Sequence, residues 1–287
     1  MNGILLIDKP LGVTSHDVIF RLRKILKIKR IGHTGTLDPA ASGLLVVLVG
    51  TATKLAPYLT DTDKEYRGEI LIGKATDTED GAGKIIAAKP VELRLDIDGC
   101  LKTFFGKQKQ TPPMYSAVKQ QGKKLYELAR QGIEVERKPR PITVYCLRRV
   151  SPVIYENQTA RFSFTAAVSK GTYIRTLAVE IGKRLGYPAH LAALHRTAVG
   201  VFSVDSAYSL ADVAAGNYRM ENMVAAFKKE GIFEVGAAIA KKIKNGQAIP
   251  SAELATDSDK IVLAYEGRLL AVYKKKNERY FAERVWN

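Results

Sequence analysis

The sequence contains few cysteines and lacks an apolar run that could cross a membrane. Its two cysteines, Cys100 and Cys146, do not have the CxxC spacing of common zinc sites. The longest purely apolar run covers residues 44–49, whereas a membrane helix needs roughly 20 residues. We therefore expect no disulfide framework, no zinc site and no membrane span, and we expect a cytoplasmic protein.

Acidic residues are scarce relative to basic ones. The chain of 287 residues has 29 Asp and Glu against 45 Lys and Arg, a net charge of +16 and a pI near 9.7. Six cations lie within residues 21–30, and residues 119–149 contain nine Lys or Arg and three Glu. A solvated helix face would also explain the first cluster. The total excess nevertheless favours a phosphate-rich partner, either nucleic acid or an anionic membrane.

Motifs for phosphate and dinucleotide binding are missing. Residues 81–85 superficially resemble a phosphate-binding loop, but Ile85 stands where GxxxxGK[ST] requires Ser or Thr. No GxGxxG opens a predicted helix, and the four histidines lack ligand spacing with Cys or acidic residues. We therefore predict no cofactor and no metal, and we interpret His190 and His195 as packing residues in a helix or loop.

The hydrophobic pattern predicts a mixed domain of strands and helices followed by a small β-rich module. Thr14 and Asp17 resemble a capping box at the start of a predicted helix. Residues 44–49 form a predicted buried strand, and residues 76–83 form a predicted acidic surface loop. Residues 119–149 are predicted to form a basic, partly irregular arm that suits a mobile clamp on RNA. The sequence pattern changes near residue 231, so we divide the chain into one domain covering residues 1–230 and a second covering residues 231–287.

A glycine-rich stretch at residues 30–43 contains a single carboxylate, Asp38, between a basic segment and an apolar run. Glycine and hydroxyl residues favour an irregular loop that a ligand can approach closely. Pro39 restricts Asp38 to an extended conformation. Asp38 is therefore a candidate nucleophile for a polyanionic substrate, although an Asp-Pro pair also commonly caps a turn. His33 shares the stretch and is a second candidate functional residue.

Four segments together resemble the TruB-type tRNA pseudouridine-55 synthases. The matching segments appear in the family's order and are DKPLGVTS at 8–15, GHTGTLDP at 32–39, KEY at 64–66 and SKGTYIRTL at 169–177. Residues 189–194 continue the resemblance. Two positions depart from the family pattern: Ser42 replaces the usual threonine, and His195 replaces a common arginine.

The resemblance implies an α+β fold. We expect a pseudouridine synthase catalytic domain with a central, mainly antiparallel sheet at 1–230, including the basic arm. Residues 231–287 should form a small β-barrel that resembles an RNA-binding PUA domain. The implied partner is tRNA, held by its T-arm and acceptor stem, and we expect a monomer that does not bind membranes.

The resemblance also implies the site residues. Asp38 would be the catalytic aspartate, and Arg175 would pair with its carboxylate. Tyr66 would stack on the uracil, and Tyr173 and Leu194 would line the uracil pocket. His33 would lie near the displaced base, and Lys9 would shape the pocket wall.

The implied reaction isomerises uridine 55 to pseudouridine in an extruded nucleotide. Asp38 would attack C1′, attack C6 or promote proton loss from C2′, and the sequence does not choose among these routes. There are two rival functions: a non-catalytic RNA chaperone or assembly factor that uses the same basic surface, and an RNA methyltransferase. The missing glycine-rich cofactor loop argues against the methyltransferase.

Overall fold

The computed structural model describes residues 1–92, 94–120, 122–228, 230–254 and 256–286. Its main feature is a ten-stranded sheet with the order β1-β3-β13-β4-β12-β10-β7, on which β2, β11 and β14 pair with single neighbours. Every pairing is antiparallel except that of β3 with β13. The strands of this sheet are β1 (Gly3–Lys9), β2 (Ile31–Thr34), β3 (Ala41–Val49), β4 (Lys64–Ile72), β7 (Gly106–Gln110), β10 (Arg140–Arg149), β11 (Ile154–Glu156), β12 (Thr159–Val168), β13 (Ala189–Val199) and β14 (Phe202–Ser203).

Short helices and two small hairpins surround the sheet. The helices are α1 (Ser15–Leu26), α2 (Ala56–Thr60), α3 (Ile97–Lys102), α4 (Leu125–Arg130), α5 (Ile174–Leu185), α6 (Leu210–Ala214) and α7 (Ala237–Lys244). The hairpins pair β5 (Lys74–Thr76) with β6 (Ile85–Ala88), and β8 (Lys119–Gln120) with β9 (Lys123–Lys124). Short 3₁₀ helices cover Gly50–Leu55, Val204–Ser206, Met223–Phe227 and Ser251–Glu253.

The helix before the glycine-rich loop begins with the predicted capping box. The Thr14 side chain accepts a hydrogen bond from the Asp17 amide, and the Asp17 side chain accepts one from the Thr14 amide. Val18, Ile19 and Leu22 of α1 are buried and pack against the apolar side chains of β1 and β3. The start of α1 is thereby fixed against the strand that follows the Asp38 loop.

Strand β13 lies at the centre of the sheet, and the hydrophobic pattern did not reveal it. His190 and His195 both belong to it, so the interpretation of these residues as part of a helix or loop was wrong. Gly43 allows the close parallel pairing of β3 with β13: it has φ 101°, and a Cβ there would lie 2.4 Å from the Arg196 carbonyl oxygen. This approach places β13 directly beside the loop that carries Asp38.

The small C-terminal module is a curled, half-barrel sheet, in agreement with the predicted fold class. Its order is β15-β17-β18-β19-β16. The strands are β15 (Ile232–Glu234), β16 (Ile249–Pro250), β17 (Lys260–Tyr265), β18 (Arg268–Lys276) and β19 (Arg279–Val285). Trp286 packs with Tyr58 and Phe227 of the preceding part of the chain, so the two parts share an apolar contact. The domain boundary at 230/231 stays a prediction.

The predicted arm at 119–149 is shorter in the structure. Residues 140–149 form β10, which pairs with β7 and β12 in the large sheet. The remainder contains the β8–β9 hairpin and α4. Gln121 and the side chains of Lys119, Lys124 and Arg130 lie outside the described part of the structure. The C-terminal end of the predicted arm is a strand because β10 buries Ile142, Val144 and Leu147 on one side of the sheet.

Candidate active site

Asp38 lies on the irregular loop between β2 and β3. Gly35 has φ 74°, a left-handed conformation that glycine adopts without strain. The loop ends where the Ala41 amide donates a hydrogen bond to the Asp38 carbonyl at 3.0 Å. The Asp38 side chain is 46% exposed, so a ligand can reach its carboxylate.

Arg175 contacts this carboxylate from the start of α5. Its Nη2 lies 3.0 Å from Oδ2 of Asp38, and its side chain is only 8% exposed. The same guanidinium donates hydrogen bonds to the carbonyls of Thr78 at 3.0 Å and Tyr115 at 2.7 Å. Asp80 lies 3.9 Å from Nη1. Backbone and acidic partners therefore fix the guanidinium, which in turn fixes one side of the carboxylate.

The segment 76–83 is therefore not a simple surface loop as predicted. Thr76 and Asp80 are buried, and the amide of Gly81 donates a hydrogen bond to the Leu191 carbonyl on β13 at 3.0 Å. One of its acidic residues, Asp80, points into the protein and faces Arg175. Sequence composition alone did not distinguish this packed loop from a solvated one.

Arg196 of β13 lies behind the Asp38 loop and is 2% exposed. It donates hydrogen bonds to the carbonyls of Gly35 at 2.9 Å, Thr36 at 3.4 Å and Leu44 at 2.8 Å. Its guanidinium also faces the Tyr66 hydroxyl and the Asp38 carboxylate, while burial lowers its pKa. The sequence pattern did not indicate a role for Arg196.

Lys9 is a further buried cation near Asp38. It lies at the end of β1, and its Nζ donates to the carbonyls of Pro10 at 2.9 Å and Val13 at 2.8 Å. Burial lowers the pKa of Lys9, and the nearby Asp38 carboxylate partly opposes this effect. The electrostatic surroundings of the carboxylate are therefore strongly cationic.

The two tyrosines of the predicted pocket approach Asp38 from different elements. Tyr66 is a buried residue of β4 whose Cα partner on β13 is Arg196. Tyr173 is the N-cap residue of α5, two positions before Arg175. Burial raises the pKa of the Tyr173 hydroxyl, so this group is neutral at pH 7. Tyr173 therefore lies at the start of the helix that carries Arg175, and Tyr66 lies on the strand that pairs with Arg196 of β13.

Leu194 of β13 is half-buried and lies between β3 and β4 in the large sheet. Its Cα partners are Gly68 on β4 and Ala41 on β3. It also lines a groove of about 700 Å³ together with Ala40 and Ser42. The Ser42 hydroxyl lies 2.9 Å from Nδ1 of His195, so the two departures from the family pattern contact each other.

His33 lies on β2 at the other side of the loop. Its ring packs edge-on against His16, with the centroids 5.6 Å apart. Burial, with smaller contributions from His16 and Arg196, lowers the pKa of His33 to about 4. The imidazole is therefore neutral at pH 7, and Nδ1 is buried without a hydrogen-bond partner among the described residues.

The arrangement places one accessible carboxylate among arginines and aromatic rings. No group of three potential metal-ligating side chains occurs in the part of the chain that the structure describes. A carboxylate in such surroundings can act as a nucleophile or as a base on a bound anion-rich substrate. The aromatic rings can stack on a planar base.

Comparison with known proteins identifies the family. The family model described as "TruB family pseudouridylate synthase (N terminal domain)" matches residues 23–174. The chain belongs to this family. The model "tRNA pseudouridylate synthase B C-terminal domain" matches residues 175–229. This TruB family member is therefore a pseudouridine synthase, as the four segments indicated.

Curated relatives cover almost the whole chain. Proteins named tRNA pseudouridine synthase B from Bacillus pumilus and Bacillus subtilis are 45% and 44% identical, over 96% and 95% of this chain and 93% of each relative. The relative from Streptococcus sanguinis is 40% identical over the full length of both chains. The match therefore includes the C-terminal module.

Solved structures share the fold. One chain of a Cbf5-Nop10-Gar1 complex has a TM-score of 0.72 at 26% identity, covering 99% of this chain and 84% of that chain. One chain of an H/ACA RNP bound to a substrate RNA containing 2′-deoxyuridine has a TM-score of 0.74 at 22% identity, covering 99% and 85%. Within the described residues, no helix is long and apolar enough to span a membrane.

Proposed function

We propose that this protein isomerises uridine 55 in the TΨC loop of tRNA to pseudouridine, with Asp38 as the catalytic residue. The observation that carries the proposal is the half-exposed Asp38 carboxylate held by the buried Arg175 at 3.0 Å. The relatives named tRNA pseudouridine synthase B support tRNA as the substrate.

The reaction needs no oxidant or group donor. The bond between uracil N1 and C1′ of the ribose breaks, and a bond between C5 and C1′ forms. The hydrogen on C5 leaves as a proton, and N1 gains a proton, so the atoms and electrons balance. Only the connectivity within one nucleotide changes, which suits a site built from a single carboxylate.

The nucleotide must leave the RNA stack to reach Asp38, and unstacking costs a few kcal/mol. We assign Tyr66 to stacking on the extruded uracil, and Tyr173 and Leu194 to the walls of its pocket. The neutral His33 occupies the space near the displaced base, and Lys9 shapes the wall behind Asp38. These roles are the ones that the family resemblance implies, and the positions of the side chains around the loop support them.

The tRNA would be held largely through its phosphates. We assign three surfaces to the T-arm and acceptor stem: the exposed cations of residues 21–30, the arm and the basic C-terminal module.

We further propose that the protein acts as a monomer in the cytoplasm. Size-exclusion chromatography with light scattering, with and without tRNA, tests the monomeric state.

The decisive variant is Asp38→Asn, which keeps the size of the side chain and removes its negative charge. We expect it to bind transcribed tRNA with wild-type affinity and to release no tritium from 5-tritiated uridine. Asp98→Asn is a matched control, because it breaks an exposed ion pair with Arg149. Near-wild-type tritium release by Asp38→Asn would refute the assignment.

Two further measurements define the site and the route. Carbodiimide mapping of pseudouridine in the product should place the modification at position 55 and nowhere else in the tRNA. A primary kinetic isotope effect from deuterium at C2′ would indicate proton removal from C2′. Its absence would favour attack by the Asp38 carboxylate at C1′ or C6.

A further inference from the structure

Ser15 makes an unusual pair of contacts with the loop that carries Asp38. It is the first residue of α1 and is completely buried. Its hydroxyl accepts a hydrogen bond from the Leu37 amide at 2.8 Å and donates one to the Leu37 carbonyl at 3.0 Å. One hydroxyl can do both, because it has a donor hydrogen and acceptor lone pairs.

Leu37 immediately precedes Asp38, and its side chain is 4% exposed. It lies outside strands β2 and β3, so no ladder hydrogen bonds hold its backbone. Buried backbone groups need partners, and Ser15 supplies both of them. The hydroxyl therefore fixes the peptide groups on either side of the Leu37 Cα, including the one that leads into Asp38.

The opposite side of the loop is held by a different residue. Among the described residues, Arg196 donates to the carbonyls of Gly35 and Thr36 and not to Leu37. Ser15 thus fixes the last residue before Asp38, and Arg196 fixes the two residues before that. Thr14 and Asp17 form the capping box at the same end of α1, but their side-chain hydrogen bonds join only each other, at exposed positions away from the loop.

We propose that Ser15 is a positioning residue that sets the Asp38 carboxylate in its reactive geometry. The inference rests on the proposed function of Asp38. Ser15 has no exposed surface, so it acts through Leu37 and does not touch the substrate. A displacement of about 1 Å in a reacting group lowers the rate about 100-fold, and the chemical step should therefore depend on Ser15.

The test compares Ser15→Ala with Asp17→Ala in the full-length protein. Ser15→Ala removes both contacts to Leu37, whereas Asp17→Ala loosens the same helix end at an exposed position without touching the loop. We expect Ser15→Ala to lower kcat for tritium release by about tenfold to 100-fold, with KM and the Kd for tRNA within twofold of wild type. Asp17→Ala should keep a wild-type kcat.

Two outcomes would overturn the inference. One is a wild-type kcat in folded Ser15→Ala, and the other is an equal fall in kcat in Asp17→Ala. If Ser15→Ala does not fold, Ser15→Cys fills the site with a weaker donor and acceptor. It should then show the reduced kcat with unchanged KM, and a wild-type kcat would count against the inference.

Asp38→Asn is assayed in parallel to separate the two proposals. If Asp38→Asn is inactive while the folded Ser15 variants keep a wild-type kcat, only the positioning role of Ser15 fails. If Asp38→Asn itself retains a wild-type kcat, the proposed function of Asp38 fails, whatever the Ser15 variants do.

Discussion

Nη2 of Arg196 donates a hydrogen bond to the carbonyl of Gly35 at 2.9 Å, from a side chain that is almost fully buried. The guanidinium reaches two further carbonyls, those of Thr36 and Leu44. It therefore connects the start of the Asp38 loop to the strand that follows it. Because the cation also faces Asp38 and Tyr66, it combines a structural contact with an electrostatic one.

Arg196→Lys should lower both activity and stability. Lysine keeps the charge but cannot bind three separate carbonyls, and each lost hydrogen bond to a charged group is worth about 1.5–3 kcal/mol. We expect kcat to fall at least about tenfold and the free energy of unfolding to decrease. Tritium release and urea denaturation measure the two effects. Arg161→Lys, on the half-exposed face of β12, should change neither.

Gln110 holds the backbone of Tyr173 in the way that Ser15 holds Leu37. Its Oε1 accepts from the Tyr173 amide at 2.8 Å, and its Nε2 donates to the Tyr173 carbonyl at 3.1 Å. The Tyr173 side chain does not cap α5. The side-chain amide of Gln110 is therefore an important contact that holds the start of this helix.

Gln110→Ala should therefore weaken substrate binding and turnover together, because it loosens both Tyr173 and Arg175. We expect a fall of about tenfold in kcat/KM, equivalent to about 1.4 kcal/mol. Gln108→Ala on the same strand is the matched control, since the Gln108 side chain donates to the Phe104 carbonyl and not to Tyr173 among the described residues. Equal effects of the two variants in steady-state kinetics would contradict the role of Gln110.

Local patterns predicted the elements that depend on local chemistry. The capping box of Thr14 and Asp17 and the buried strand after the loop both follow from short-range rules, and the structure confirms them. The irregular loop around Asp38 follows from its glycines and hydroxyl residues. The resemblance, and not periodicity, indicated that Arg175 lies near Asp38.

The elements that the sequence did not reveal depend on distant contacts. Strand β13 carries His195 and Arg196 in its middle, so it does not show the apolar run expected of a central strand. Arginine is seldom buried, and Arg196 is buried only because the carbonyls of Gly35, Thr36 and Leu44 converge on it. Those partners are contributed by residues far away in the chain.

The low pKa of His33 predicts a pH dependence of stability. Burial lowers this pKa from 6.5 to about 4 in the folded protein. The unfolded chain then binds more protons than the folded one between these values, so stability falls as the pH decreases from about 6.5 to about 4. One group contributes at most about 1.4 kcal/mol per pH unit.

His33→Phe removes the titrating group while keeping an aromatic ring of similar size. The free energy of unfolding from urea denaturation should then decline less steeply between pH 6.5 and pH 4.5 than in wild type. Above pH 7 the two slopes should coincide, because His33 is neutral in both states there. Parallel curves throughout the acid range would show that His33 is not buried as the structure indicates.

The basic residues at 21–30 predict a salt-dependent contribution to tRNA binding. Arg21 of α1 and Lys29, in the segment between α1 and β2, are exposed, and each phosphate contact releases counterions. Replacing both residues with Gln should weaken binding and reduce the slope of log K against log salt by about one unit per lost contact. Filter binding of transcribed tRNA between low and high salt measures the slope. The charge-preserving pair Arg21→Lys and Lys29→Arg should retain the wild-type slope, and an unchanged slope in the Gln variant would place the phosphates elsewhere.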